Sequence, residues 1–413
     1  MYNKLKIIDL FAGCGGLLDG FLQSGYYDSL ASVEWEAEPC RTLRQRLSNK
    51  WGKKDADDEV IQFDIQRTQE LLIGYVDPVY GRNMGLNYRI GNNKLDAIIG
   101  GPPCQAYSIA GRIRDPHGMR EDYRNFLFES YIRVLSAFRP KYFIFENVVG
   151  LLSAKPTGIP ITEIIFKAFQ EAGYHITSNL RDAIFDVADF GIPQHRKRVI
   201  ILGIRNDILQ SDIEYQNIFD IYYKQIIPTY KTKQKNVGET LSDLPKLYPL
   251  EKDIRVNGNH YSHEPITTGI PNHIPRYHSK RDIGVFRMLA LDIKSGEKKY
   301  VSTENLKELY TRVTGKHSNV HKYYVLREDE PSNTIPAHLF KDGMRHIHPD
   351  PEQARSITVR EAARLQTFDD DFVFTGPMMA QYKMIGNAVP PQFAKIIAEA
   401  LYKLNNLIQQ KNE

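Results

Sequence analysis

The chain has 413 residues, 42% hydrophobic and 25% charged, with a net charge of only +4, an ordinary globular composition with length for two or three domains. No apolar run approaches the roughly 18 residues of a membrane-spanning helix, and the N-terminus lacks the architecture of a signal peptide, so a cytoplasmic protein is expected. Three cysteines, Cys14, Cys40 and Cys104, are too sparse for a disulfide framework or a zinc finger and fit a reducing compartment.

Over the first two hundred residues short apolar runs alternate with amphipathic stretches, which predicts a parallel sheet covered by helices. Strands are expected at LKIIDLF, ASVEW, EVIQFDI, LDAIIGG, KYFIFENV and RVIILGI, with helices around Glu36 to Leu47, Asp122 to Phe138 and Ile161 to Ala172, the last ended by Gly173. After Arg205 the rhythm breaks, and residues 206 to about 350 are irregular and rich in Tyr, His, Lys, Thr and Asn, which predicts a second domain. Within it Lys252 to Arg327 carries 14 Lys plus Arg against 7 Asp plus Glu, so this window holds +7 and the remainder −3. Such a patch suits a polyanion, although a solvated basic face reads the same way. Further on, TVREAARLQ predicts a short helix with a Thr-x-x-Glu capping box, and PPQFAKIIAEALYKLNNLI a C-terminal helix begun by proline.

The turn after the first strand, DLFAGCGGLLDGF, has Gly13, Gly15 and Gly16, which let a ligand lie against bare amides. Its G-x-G-G spacing departs from the dinucleotide pattern G-x-G-x-x-G. The second strand ends in Glu34, placed to take ribose hydroxyls, and Trp35, a flat face for a base; the third ends at Asp64 and Ile65 on the same carboxyl edge. Two acids and no Lys or Arg suit a nucleoside carrying a cation better than a pyrophosphate, which points to S-adenosylmethionine.

The fourth strand leads into GGPPCQAYS, where Cys104 would project over the same edge, either as a packing residue or as a nucleophile. Glu146 closes the next strand in FIFENV, and QHRKRVIILGI would set Gln194, Arg196 and Arg198 along one face of another, where paired arginines otherwise serve as strand-edge salt bridges. Thiol, carboxylate and arginine together suit a cytosine ring. A thiolate adding at C6 makes C5 an enamine carbon, provided an acid such as Glu146 holds N3. Arg196 would hold O2 as charge builds, and Arg198 would orient Glu146 or Cys104.

In order and spacing, DLFAGCGG, GPPCQAYS, ENV, QHRKR, REAARLQTF and GNAVP, spanning residues 7 to 391, resemble the DNA (cytosine-5)-methyltransferases of bacterial restriction-modification systems. The resemblance implies a Rossmann-like α/β methyltransferase domain over residues 1–205, completed by 380–413, and a target-recognition domain over 206–379. It implies that Phe11 packs on adenine and that Pro102, Leu127, Asn387 and Val389 complete a pocket with Gly13, Gly15, Glu34, Trp35, Asp64 and Ile65. Cys104, Glu146, Arg196 and Arg198 match the catalytic positions. It implies a double-stranded DNA substrate whose target cytosine rotates out of the helix, and SIAGRIRDPHGMREDYRN reads as a lid over it. Asp369 stands where the family commonly has proline, and Ala110 where some relatives place a polar residue near the gap left by the flipped base.

Rival readings are a tRNA cytosine methyltransferase, disfavoured by the long recognition segment, a DNA-binding homologue without catalysis, and a nicotinamide oxidoreductase. A monomer is expected, with any cognate endonuclease acting separately. DNA contacts are sought among Arg276, Lys280, Arg281, Arg287, Arg312 and Lys316. His260 and His263 form H-x-x-H, but with no strand or helix expected to present them they are read as DNA-facing or exposed, and no metal site is expected. Cys14 and Cys40 are read as packing residues.

Overall fold

The apolar runs become strands because β-branched and aromatic residues dominate them and no proline interrupts their ladders. The computed structural model describes residues 4–103, 127–155, 159–265 and 269–412. In chain order its strands are β1 (Leu5–Leu10), β2 (Tyr27–Glu34), β3 (Val60–Gln62), β4 (Tyr75–Asp77), β5 (Gly81–Asn83), β6 (Ala97–Gly100), β7 (Tyr142–Val148), β8 (Tyr174–Ile176), β9 (Ile184–Asp186), β10 (Lys197–Arg205), β11 (Pro249–Val256) and β12 (Asn259–His263). One eight-stranded sheet has the order β3-β2-β1-β6-β7-β10-β8, with β9 also on β10; β4 with β5 and β11 with β12 form separate hairpins. From β3 to β7 every pairing is parallel. The expected parallel sheet is present, and β10 is added to it antiparallel to β7, β8 and β9.

The chain divides into two units, Met1–Phe190 with Lys197–Lys233 and Ala388–Glu413, and Gly191–Arg196 with Gln234–Asn387. These divisions differ from the expected ones at both ends of the recognition segment. Residues 206–233 join the first unit because β10 needs them. β8 takes Gly203 to Arg205 and β9 takes Lys197 to Val199, which leaves the middle of that edge to other partners. The Tyr223 hydroxyl accepts from Leu202 N at 2.8 Å and donates to Ile200 O at 3.0 Å. Buried main-chain groups require such partners.

The C-terminal helix Pro391–Asn412 completes the first unit. It packs on the helix Gly16–Gln23, where a Cβ on Gly20 would overlap Pro391 O and the Ala394 side chain. Tyr27 donates to Ala398 O at 2.8 Å, and Tyr142 to Asn405 at 3.2 Å. The helix Leu127–Phe138 matches the end of its expected span, and Ile161–Glu171 stops before Gly173 at φ 85°. Among the described residues no helix is long and apolar enough to cross a membrane.

In the second unit, the helices Lys280–Ser295 and Thr303–Thr314 start at Ser279 and Ser302, whose side chains accept the capping amide hydrogen bonds, and they share a core of Val285, Phe286, Leu289, Leu306 and Leu309. The expected capping box forms at Thr358 and Glu361. Both Glu361 oxygens also accept from the buried Arg355 guanidinium at 2.7 Å, and this pair holds the Glu361 carboxyl far below the usual carboxylate range despite its burial. Around it lie buried histidines. His263, expected at the surface, instead bonds Gln353 O at 2.9 Å and Ser262 Oγ at 3.0 Å, while His260 stacks on Tyr277.

Burial lowers these rings from their ordinary 6.5, to about 4 in His263, His346 and His348 and about 3 in His278. The unfolded chain therefore binds protons from about pH 6.5 downward while the folded rings stay neutral to about pH 4, so stability is full above this window and falls with pH inside it. We expect hydrogen exchange at the helix Val359–Leu365 to quicken, after correction for intrinsic rates, from pH 6.5 to pH 4. A flat profile would show that the rings are solvated.

Candidate active site

At the end of β1 the backbone enters the left-handed region at Phe11 (φ 61°), Gly13 (φ 55°) and Gly15 (φ 90°). Positive φ strains phenylalanine and suits glycine, so the turn is over-determined by its surroundings. Its clamp is Glu34. One carboxylate oxygen accepts from Gly13 N at 2.9 Å; the other accepts from Trp35 N and Glu36 N, both at 2.8 Å. Burial lifts the Glu34 pKa above the usual carboxylate range, and these amides oppose the shift. Ala12 N also reaches Val33 O at 3.0 Å, and Phe63 N reaches Glu34 O at 2.9 Å, so three strand ends share one frame.

The space over this frame is open. A Cβ on Gly13 would meet nothing within 4 Å, and Trp35 leaves 53% of its surface exposed. Asp64 accepts from Gln66 N at 3.0 Å, and Ile65 is buried, its carbonyl bonded to Thr68 Oγ1. Cys14 and Cys40 are buried, and burial pushes both thiols up to about 12, which makes them packing residues and poor nucleophiles.

The neighbouring strand ends hold the second group. A Cβ on Gly100 would overlap Leu10 O, and one on Gly101 would lie 2.6 Å from Glu146 Oε2, so both positions need glycine to let β6 approach β1 and the carboxylate. Pro102 is buried and its carbonyl accepts from Asn147 Nδ2 at 3.2 Å. Cys104 lies outside the described residues, as do Ala110 and the expected lid.

Glu146 sits near the carboxyl end of β7, and the antiparallel direction of β10 brings its beginning to that edge, with Arg198 opposite Val148. Arg198 Nε donates to Glu146 Oε1 at 2.8 Å. Both side chains are largely buried; burial lowers the Arg198 pKa from its ordinary value and Glu146 opposes that. Charge-assisted hydrogen bonds are strong in such surroundings, so the ion pair fixes the carboxylate's direction.

The expected strand face of Gln194, Arg196 and Arg198 does not form. β10 begins at Lys197, and Gln194 and Arg196 belong to the second unit. Gln194 accepts from Ile335 N at 2.8 Å and donates to Gln366 Oε1 at 3.0 Å. Arg196, 1% exposed, donates to Ile335 O at 2.9 Å and Gly386 O at 3.0 Å. The pocket candidates divide likewise: Leu127 and Val389 are buried in the first unit, and Asn387 is an exposed residue of the second.

One residue escaped the sequence reading. Asp9, next to last in β1, is 1% exposed, and among the described residues neither its carboxylate oxygens nor the hydroxyl of Ser32, its register partner on β2, has a hydrogen-bond partner. Burial, then the charge of Glu34, raise the Asp9 pKa well above its ordinary value. An aspartate inside IIDLF was the available signal.

The basic candidates sort by environment. Arg276 is half-buried, donating to Leu339 O at 2.8 Å and lying 4.5 Å from the Tyr382 ring, which makes it structural. Arg281 pairs with Asp282, Lys280 bonds Glu251 O, and Arg312 bonds the Tyr300 hydroxyl. Arg287 and Lys316 stand exposed.

Comparison with known proteins accords with this arrangement. The Type II methyltransferase M.Bpa9945I of Bacillus paralicheniformis is 33% identical over 97% of this chain and 99% of its own, and M1.HphI of Haemophilus parahaemolyticus 32% identical over 97% and 88%. The fold resembles that of a solved DNA modification methyltransferase encoded within an Escherichia coli prophage, with a TM-score of 0.60 at 23% identity, covering 98% of this chain and 100% of that one. It also resembles Schizosaccharomyces pombe Dnmt2, with a TM-score of 0.53 at 14% identity, covering 98% and 100%. A profile of C-5 cytosine-specific DNA methylases matches residues 5–403, and with strand ends, glycine-rich turn and carboxylate–arginine pair arranged as described, the chain belongs to that family.

Proposed function

We propose that this chain methylates C5 of a specific cytosine in double-stranded DNA, as the modification enzyme of a bacterial restriction-modification system. The observation that carries the reading is the Glu146–Arg198 pair at the carboxyl edge, with Glu146 Oε2 beside Gly101, three residues before Cys104. The relatives named as Type II methyltransferases, matched over nearly their whole lengths, support the restriction-modification assignment.

The residues over the glycine-rich turn fit S-adenosylmethionine. Gly13 opens onto space, Trp35 offers an exposed ring, and Glu34 and Asp64 supply carboxylates with no Lys or Arg among the pocket residues. Phe11, Gly15, Ile65, Pro102, Leu127, Asn387 and Val389 would complete the site. The cofactor would supply an electrophilic methyl group.

The protein's own groups would act on the pyrimidine. The target cytosine leaves the base stack, since C5 and C6 need access from both faces. The Cys104 thiolate adds to C6, Glu146 holds N3 so that the electron pair collects at C5, and Arg196 is the residue proposed for O2. Arg198, already bonded to Glu146, sets the carboxyl's direction. Once C5 carries the methyl group, a base takes its proton and the C6–S bond breaks, returning the thiolate and restoring the aromatic ring.

Methyl transfer from labelled cofactor to duplex DNA, with tRNA as comparison, tests the reading. We expect label in DNA only, and none with Cys104→Ser. A duplex carrying 5-fluorocytosine at the target should leave a detergent-stable adduct with the unaltered protein, because fluorine cannot depart as a cation; recovery of label in tRNA alone, or full activity of the serine variant, would overturn it.

The two halves of the site should separate kinetically. Glu146→Gln is expected to lower kcat by about 10²–10⁴-fold with little change in cofactor Kd. Trp35→Ala should do the reverse, weakening cofactor binding measured by calorimetry while single-turnover rates at saturation stay close to normal. A Trp35→Ala protein with unaltered cofactor affinity would remove that ring from the pocket.

A further inference from the structure

Resting on the reading that the chain acts on duplex DNA, we propose that the turn Pro336–Lys341 of the second unit reads base edges, with His338 and Lys341 as specificity-determining residues.

Direct readout needs side chains that reach out from a backbone held to a fraction of an ångström. This turn meets both conditions. The chain entering it is clamped at Ile335, whose N–H donates to Gln194 and whose carbonyl accepts from Arg196, and within it Leu339 O accepts from Arg276. Leu339 is buried as an anchor. The helix Met378–Asn387 presses against the same segment, because a Cβ on Gly386 would overlap Ala337 N and the Pro336 carbonyl, a closeness that only glycine permits. Thr334, just before the turn, bonds His195 O at 2.7 Å and its own carbonyl meets His346 at 3.2 Å.

The side chains contrast with this backbone. His338 is exposed on a short helical turn, Ala337–Phe340, and Lys341 is exposed immediately after it. The His338 and Phe340 rings lie nearly parallel, 19° apart with centroids at 6.4 Å, and Lys341 Nζ stands 5.7 Å from the Phe340 ring, so Phe340 limits the directions of both. A turn that served packing alone would need neither an exposed cation nor an exposed imidazole. Arg287 and Lys316, by comparison, are exposed cations outside this clamped segment, which suits phosphate contacts that position without specifying.

The chemistry narrows the target. An ammonium only donates, and a donor in the major groove is best matched by guanine, whose N7 and O6 both accept. The recognised sequence should therefore include a guanine read by Lys341.

The test selects bound sequences from a random duplex library with the full chain and S-adenosylhomocysteine, then measures competition between selected and altered duplexes. Lys341→Ala and His338→Ala are compared with Arg287→Ala and Lys316→Ala. We expect a fixed sequence containing guanine for the unaltered protein, and a loss of roughly 5- to 150-fold discrimination at one position in a turn variant. The comparators should weaken all duplexes alike. Unchanged discrimination in both turn variants would overturn the proposal, as would failure of the unaltered protein to select any sequence. Selection of a turn-dependent sequence without methyl transfer would instead overturn the reaction assigned above and leave the readout standing.

Discussion

The site depends on the reversal of one strand. In a sheet that is parallel from β3 to β7, a strand end carrying a carboxylate has only other carboxyl ends beside it, and the connecting chain leaves from there. Because β10 is antiparallel, its first residues arrive at that same edge, and Arg198 meets Glu146 across a single strand spacing. Neither charge would be tolerable alone at that depth, since an unpaired buried charge costs several kcal/mol. The pair satisfies both and leaves Glu146 Oε2 turned towards the β6 end, with room because residue 101 is glycine.

The glycine-rich turn obeys the same logic with different groups. A buried carboxylate again fixes the geometry, but Glu34 is met by three amide donors and no cation. Main-chain amides occupy one set of lone pairs and hold the turn without adding a positive charge. Asp9 stands behind this turn on β1, buried and without a hydrogen-bond partner among the described residues, a local inconsistency of the kind that accumulates near functional sites.

Much of this was legible in the sequence because strand ends announce themselves. Glu34, Asp64 and Glu146 each terminate an apolar run, and a charged residue there has few places to go except a ligand or a partner. Helix boundaries at Gly173 and at the Thr358 capping box were equally local signals. What escaped was non-local. Alternation in QHRKR suggested one strand face, but strand direction and the point where a chain passes between units are set by distant partners such as Ile335 and Gly386, and alternation carries no record of them. Residues 206–233 read as irregular although Asp212–Asp220 is a helix capped by Ser211, its buried stripe of Tyr215, Ile218 and Phe219 running on to Tyr222 and Tyr223, because that stripe is built largely from tyrosines, which a reading by composition counts as polar. His263 was misplaced for a similar reason: an imidazole is polar in composition yet packs well once Gln353 O and Ser262 satisfy it.

The closing helix also shapes the protein's birth on the ribosome. Gly16–Gln23 packs its Gly20 against Pro391–Asn412, and Tyr27 waits for Ala398, 371 residues downstream. At roughly 5–20 residues per second, nascent chains therefore spend about 20 seconds or more with that apolar surface uncovered. Until that helix is made, the first unit lacks the segment that covers Gly20 and accepts the Tyr27 hydroxyl.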